Sequence, residues 1–448
     1  MLISLEDLKT IPKVSKPQLI WGKLNTQEPH ELFETIRLQK IYGNIFMYYR
    51  FLANNIYVLS GSEEIAHVHI NEHNYSKQYK INSTFSSLLG AGMLLNSGDK
   101  YYDRRKNILP LFKMSKLQDY VSKMQQATDR YVDLIIQDIY AQKTNNAIID
   151  IEKYTTYICL DIASLILFGK TWGEDIERAG TIVKYLNENY SASKLQIKTN
   201  FQIQKQLNYL KLLIKKKFID TADEQDKDNL LAYLMNYQGH AQYKYDNKEM
   251  LDEIITLLMT GHETSAITVT FALATLTLDS DYKSAVTEEI TNLPAELTFK
   301  DIQDSHLTRM WLEETMRLFP PVWATMRYNL EHDEINGFYV PAKSYIISNI
   351  FALHRNPEYW PKANVFDPCR FTEENKKRQV KNSYMPFIIG PRSCAASNFS
   401  MLEIQIIVIR LLQRLSFEKI PGTSLKLTPY MTLRCEPSLK MYVSVRGG

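Results

Sequence analysis

Cys394 stands between a Gly390-Pro391 turn and the apolar run SNFSMLEIQIIVIRLL, with Arg392 two residues before it. A helix N-terminus and a nearby guanidinium both favour thiolate, so the spacing predicts a poised anion. Taken alone, the residue is equally a buried structural cysteine whose thiol behaves as a small hydrophobe. A second constellation lies in LLMTGHETSAITVTFAL, an apolar helical run interrupted by Gly261, His262, Glu263 and Thr264. An acid buried in mid-helix is costly and demands a partner or a function. The Thr264 hydroxyl can bond back to the Thr260 carbonyl, opening the ladder to a ligand or water and making a proton path beside an open site. The bland alternative is a kinked core helix. A third is WLEETMRLFPP, where Glu314 and Arg317 lie at i, i+3 on one helix face. In isolation such a pair is a solvated surface bridge contributing at most about 1 kcal/mol.

The elements that must carry these residues follow from periodicity. NIFMYYRFLANNIYVLS has two apolar runs around Asn54-Asn55, a hairpin pattern, and Ser60 with Glu63 predicts a capping box opening the helix IAHVHI. From about 100 to 320 apolar residues recur at helical spacing, as in Tyr131, Leu134, Ile135 and Ile139. Short β-prone runs return between about 325 and 350 and in LKMYVSV near the C-terminus. The fold class is therefore mainly α with small peripheral β-sheets (α+β).

With 45% hydrophobic and 23% charged residues in 448, the chain is globular, and no repeat or linker divides it. A net charge of +3 gives no bulk-charge argument for nucleic acid as a partner. The first twenty residues hold no apolar stretch of signal-peptide length, and the uncharged run Thr264 to Leu278 is shorter than the roughly 18 to 20 residues that cross a bilayer. Cys159, Cys369, Cys394 and Cys435 are widely spaced, which predicts neither disulfides nor zinc and places the chain in a reducing, cytoplasmic compartment.

The order Phe387, Gly390, Arg392, Cys394 resembles the haem-binding signature of the cytochrome P450 family, the haem-thiolate monooxygenases. The resemblance implies Cys394 as the axial ligand of haem b iron, Phe387 packing on the ligand loop and Arg392 pairing with a propionate. The family has Gly where Ala396 stands. Glu314 and Arg317 resemble its ExxR pair, with Arg370 in FDPCRF as the third partner, and GHET resembles its acid-alcohol motif. In that motif Thr264 holds the hydrogen bonding through which dioxygen is protonated, and Glu263 relays solvent protons. Thr260 replaces the usual small residue. GDKYYDRRKNILPLF resembles the haem-covering segment, which implies Tyr101, Arg105 and, further on, Arg327 as propionate partners. The matches run from about residue 10 to the C-terminus, with specific motifs between 98 and 400. They imply one triangular domain over 1–448, with a β-rich corner at about 20–75 and 325–350 and a helical haem core at about 76–320 and 380–415.

By family position the apolar substrate pocket comprises Phe85, Leu88, Leu258, Gly261, Val322, Trp323, Ala324 and Met431, which suggests a fatty acid or terpenoid-like substrate. The chain contains no flavin or iron–sulfur module, so electrons come from a ferredoxin, flavodoxin or reductase. Lys376, Lys377, Arg378 and Lys381 form a basic face to steer it, or else a solvated loop. Other readings keep the haem but not oxygen insertion: a peroxide-driven or isomerising enzyme, or a ligand sensor. His67, His69 and His73 are expected at the surface. In FQIQKQLNYLKLLIKKKF the face of Ile203, Leu207, Leu210 and Ile214 either packs on the core as a lid or touches a membrane.

Overall fold

The computed structural model describes residues 31–51, 54–77, 89–144, 146–189, 197–221, 229–236, 239, 241–278, 280–423 and 426–446. The expectations for the first thirty residues, and for Phe85 and Leu88, lie outside them. Helix α1 (Glu31–Tyr42) leads into the hairpin β1 (Ile45–Phe51) and β2 (Asn54–Leu59), helix α2 (Ser62–Ile70) and the short strand β3 (Tyr75–Ser76). The helical body follows: α3 (Gly98–Ile108), α4 (Met114–Ala141), strand β4 (Ala147–Asp150), α5 (Ile151–Phe168), α6 (Ile176–Asn189), α7 (Ile197–Ile214), α8 (Leu230–Met235), α9 (Asn247–Thr275), α10 (Ser280–Thr291), α11 (Phe299–Asp304) and α12 (His306–Leu318). Then come β5 (Ala324–Asn329), β6 (Asp333–Ile335), β7 (Phe338–Val340), β8 (Tyr345–Asn349), α13 (Ile350–Leu353), α14 (Glu373–Arg378) and α15 (Ser397–Arg414), and finally β9 (Leu415–Lys419), β10 (Leu427–Pro429), β11 (Leu433–Cys435) and β12 (Lys440–Val445).

The long helices are bounded by the residues that physics favours there. Asp246 accepts from the Glu249 amide to start α9, Asp150 does the same for α5, and Gly169 ends α5 at φ +70°. α9 and α5 pack on each other more extensively than any other pair of elements. One apolar cluster joins α4, α5, α9, α12 and α15; another joins α3, α5, α6, α7, α8 and α9. α9 is thus buried between two cores, and any polar group on it must be satisfied by protein or by a ligand. A five-stranded sheet, in the order β1-β2-β8-β5-β3, ties residues 45–76 to 324–349, and β4-β12-β9 forms a second sheet.

Several local expectations are corrected. The hairpin is present, but Asn54 and Asn55 pair with Phe51 and Arg50 at the start of β2 rather than forming the turn. The capping box of Ser60 and Glu63 is not formed. Ser60 is held to the Asn44 carbonyl through its amide, so α2 starts one residue later, with Gly61 at its cap. His69 is not at the surface: it is 2% exposed, within 3.2 Å of the Ser348 and Thr325 hydroxyls. His67 pairs with Asp333, and His73 is exposed. On α7, Ile203, Leu207, Leu210 and Ile214 are all buried in the second core, so core packing takes the face that could have met a membrane. Among the described residues, no helix is long and apolar enough to cross a membrane.

Candidate active site

The loop before α15 is a run of tight backbone turns. Ile388 and Gly390 both have positive φ, at 58° and 77°, and the Cys394 amide returns to the Phe387 carbonyl at 2.9 Å. Gly390 is required twice over, by its φ and because a Cβ there would lie 2.3 Å from the His69 carbonyl oxygen. Ala396, where the family has Gly, sits at φ −107°, a conformation open to any L residue. Phe387 packs against the main core.

Cys394 is solvent-accessible, yet burial is the first cause raising its thiol pKa. Both hold for a sulfur on the wall of a recess. The Ala396 amide and Arg105 pull the other way and are outweighed. Arg392 is not among them. It pairs with Glu72, bonds the Asn96 carbonyl and lies 3.8 Å over the Tyr101 ring. The thiol is poised rather than ionised, and it needs a further positive partner to lose its proton.

Around this loop cations gather. Tyr101 Oη donates to the Pro391 carbonyl at 3.3 Å and receives Arg105 at 3.1 Å, and Arg327 Nη2 is 3.3 Å from His69 Nδ1. Lys77 joins them: after burial, Arg327 and Arg392 lower its pKa, against Glu72, which raises it. Guanidinium groups gathered in an enclosed setting suit an anionic ligand. Among the described residues, no group of three or more His, Cys, Asp or Glu is placed to hold a metal. The two propionates of a porphyrin are carboxylates that Arg105, Arg327 and Arg392 could hold.

α9 supplies the other polar elements. Leu257, Thr260, Gly261 and Thr264 are its partly exposed residues in a stretch otherwise buried, and they lie on one face. A Cβ at Gly261 would meet nothing within 4 Å. Leu258 is fully buried in the second core, and Leu257, one residue before it, is partly exposed on the face of Thr260, Gly261 and Thr264. Thr264 Oγ1 donates to the Thr260 carbonyl at 3.1 Å, and Thr256, Thr260 and Thr268 repeat the pattern. Glu263 does not face open solvent. It accepts from Thr432 at 2.7 Å and from Arg434 at 3.0 Å, and Arg434 also binds Glu152 at 2.8 Å. Arg434 is the partner of Glu263 that spacing missed; its one signal was a lone cation in the short segment LRC. α9 also meets α15 where Ser265 donates to Glu403 at 2.5 Å.

Val322, Trp323, Ala324 and Met431 are all partly exposed. The Trp323 indole donates to the Tyr430 carbonyl, and the Leu433 amide to that of Pro321, which draws the turn around Met431 to the 321–324 segment. On α12, Arg317 clamps Glu314 with two bonds of 2.6 and 2.8 Å, both side chains wholly buried, and Arg370 lies 3.6 Å from the same carboxylate. Of the four basic residues expected at the donor face, Lys376 is bound to Glu313 and Arg378 to Glu374, while Lys377 and Lys381 are exposed.

Fold and site together define a mostly helical protein built around an accessible thiol, a long buried helix with a polar face of threonines and a group of buried guanidiniums. The chain belongs to the cytochrome P450 family, whose model matches residues 12–441. It is similar to the cytochrome P450 monooxygenase buaD of Petromyces alliaceus, 26% identical over 78% of this chain and 72% of that protein. It is also similar to cytochrome P450 3A41 of Mus musculus, 31% identical over 47% and 45% of the two chains. Among solved structures, the haem domain of cytochrome P450DA superposes with a TM-score of 0.84 at 17% identity, covering 98% of each chain, which shows the shared fold. The protein is a P450 monooxygenase, and membership implies a haem cofactor, a substrate, dioxygen and a redox partner.

Proposed function

We propose that this enzyme holds haem b through Cys394 and oxidises an apolar small molecule of fatty-acid or terpenoid type, drawing electrons from a separate protein. Haem, when bound, supplies the iron that activates dioxygen and carries out the oxidation. The cation of the metal is the further positive partner that the Cys394 thiol needs to lose its proton. Arg105, Arg327, Arg392 and Tyr101 would hold the propionates, with Phe387 and Gly390 shaping the loop. Thr264 offers a hydroxyl on the open face of α9, and Glu263 is the acid that supplies a proton to it. Gly261, Val322, Trp323, Ala324 and Met431 would line an apolar pocket together with Leu257. The pair Glu314 and Arg317, with Arg370, would fix the loop segments that carry the haem.

The observation that carries this reading is the accessible Cys394 sulfur beside the buried guanidinium groups of Arg327 and Arg392. Lys377 and Lys381 are the cations left to steer an acidic donor. The four cysteines, none in a disulfide among the described residues, support a reducing compartment, the cytoplasm. The test is to load the protein with haem and titrate medium- and long-chain fatty acids and terpenoids while following the spectral shift that accompanies displacement of iron-bound water. Turnover of the best binder that depends on an electron donor is expected. Turnover with peroxide alone would favour a peroxide-driven enzyme instead.

A further inference from the structure

The two carboxylate oxygens of Glu263 are used unequally. Oε1 accepts from Thr432 Oγ1 at 2.7 Å, Arg434 Nη2 at 3.0 Å and Arg434 Nε at 3.2 Å. Oε2 is buried and has no hydrogen-bond partner among the described residues. Arg434 turns its remaining terminal nitrogen the other way, to Glu152 Oε1 at 2.8 Å. Glu152 lies in the first turn of α5, and its side chain is 10% exposed, against 2% for Glu263. One guanidinium on β11 is thus shared between an inner carboxyl and one nearer solvent, 171 and 282 positions away in sequence respectively.

We propose that Arg434 and Glu152 are positioning residues for Glu263: Arg434 pins Oε1 so that Oε2 is the oxygen that carries the proton, and Glu152 sets the strength of that hold by competing for the same cation. This rests on Glu263 being the proton source proposed above. Arginine stays protonated and cannot pass the proton on itself, so its action is geometric and electrostatic. When Oε2 hands its proton toward Thr264, Glu263 is left ionised against Arg434 and takes its next proton from water. Two carboxylates with one guanidinium would carry a net negative charge if both were ionised, and in an enclosed setting that favours retaining one proton within the pair.

The charges around the group are all of known sign. Burial raises the pKa of Glu263, while Arg434 and Thr432 lower it. Burial also raises Glu152, which Arg434, Lys184 and Ser438 lower and Asp150 raises. Glu188 acts on Arg434 from α6, and His262, one residue away on α9, is held neutral by burial. Removing Glu152 leaves Arg434 to Glu263 alone, and removing Arg434 leaves Glu263 with the threonine.

The test is infrared titration of the ferric holoprotein, following the protonated-carboxyl stretch that disappears in Glu263→Gln. In Glu152→Gln the midpoint of that band is expected to fall by about one pH unit, a tenfold change in proton affinity. In Arg434→Gln it is expected to rise by at least as much. If Arg434→Gln does not fold, Glu152→Gln carries the test alone. An unchanged midpoint in Glu152→Gln overturns the proposal, as does a wild-type spectrum with no band assignable to Glu263. Failure of the haem assignment is read separately, as absence of bound haem in every variant, and leaves the carboxyl titration intact. With an electron donor present, the pH at which electrons are diverted to peroxide should move with the midpoint while KM stays constant.

Discussion

Glu314 and Arg317 meet within one turn of α12, whereas Glu263 and Arg434 meet across 171 positions of sequence. Both systems are buried, but they are completed differently. Glu314 gives both oxygens to Arg317 and also receives the Asp367 amide, and Arg317 spends its other bonds on the carbonyls of His354, Ala363 and Val365. Glu263 has one crowded oxygen and one bare one. A saturated buried network fixes chain segments; one with a spare lone pair keeps a place for a proton.

The difference can be broken at either end. Arg317→Ala strands the Glu314 charge and three carbonyls, and it is expected to cost about 3–5 kcal/mol, enough to prevent recovery of folded protein. A thermal midpoint near that of wild type would show that the saturated network is not what fixes these segments. Glu403 sharpens the comparison because it has a hydroxyl partner and no cation: it is 1% exposed, and burial pushes it up to about 8. A carboxyl with a raised native pKa binds more protons folded than unfolded. Its stabilising contribution is therefore present at acid pH and is lost as pH rises from the unfolded value toward 8. Between pH 6 and 8 the loss is roughly 1.4 kcal/mol per unit, and Glu403→Gln should remove it from the urea midpoint. Equal pH slopes in the two proteins would refute this.

Arg434→Gln should cost less, about 1–2 kcal/mol, since Glu263 and Glu152 can each take up a proton and escape the penalty of an unpaired charge. Destabilisation as large as that of Arg317→Ala would erase the distinction between the networks. The smallest effect is expected at Gly261, where added bulk meets nothing. Gly261→Ala should leave stability unchanged or raise it by up to about 1 kcal/mol through helix propensity. Apolar ligands should nevertheless bind more weakly, as read by spectral titration, because the methyl group occupies the open face; unaltered affinity would place the ligand elsewhere.

What the sequence disclosed was local. Glu314 and Arg317, the Gly390 turn before Cys394, the Thr264 bond to the Thr260 carbonyl and the first hairpin all depend on spacings of a few residues. What it hid depends on distant parts of the chain meeting. Arg434 and Glu152 come from strand and helix ends at opposite positions in the sequence, and Arg392 is taken by Glu72 from the segment after α2. His69 is buried by β5 and β8, more than 250 residues later. Which of Leu257 and Leu258 is the less buried is a difference of a single residue, about 100° around a helix, which periodicity in a helix buried between two cores does not resolve.

The most direct measurement on Cys394 is the absorption spectrum of the reduced, carbon monoxide-saturated holoprotein, recorded beside Cys394→Ala. A strongly red-shifted band in the wild type that vanishes in the variant is the expected result. The same band in both proteins, or in neither, would contradict ligation of the iron by this sulfur.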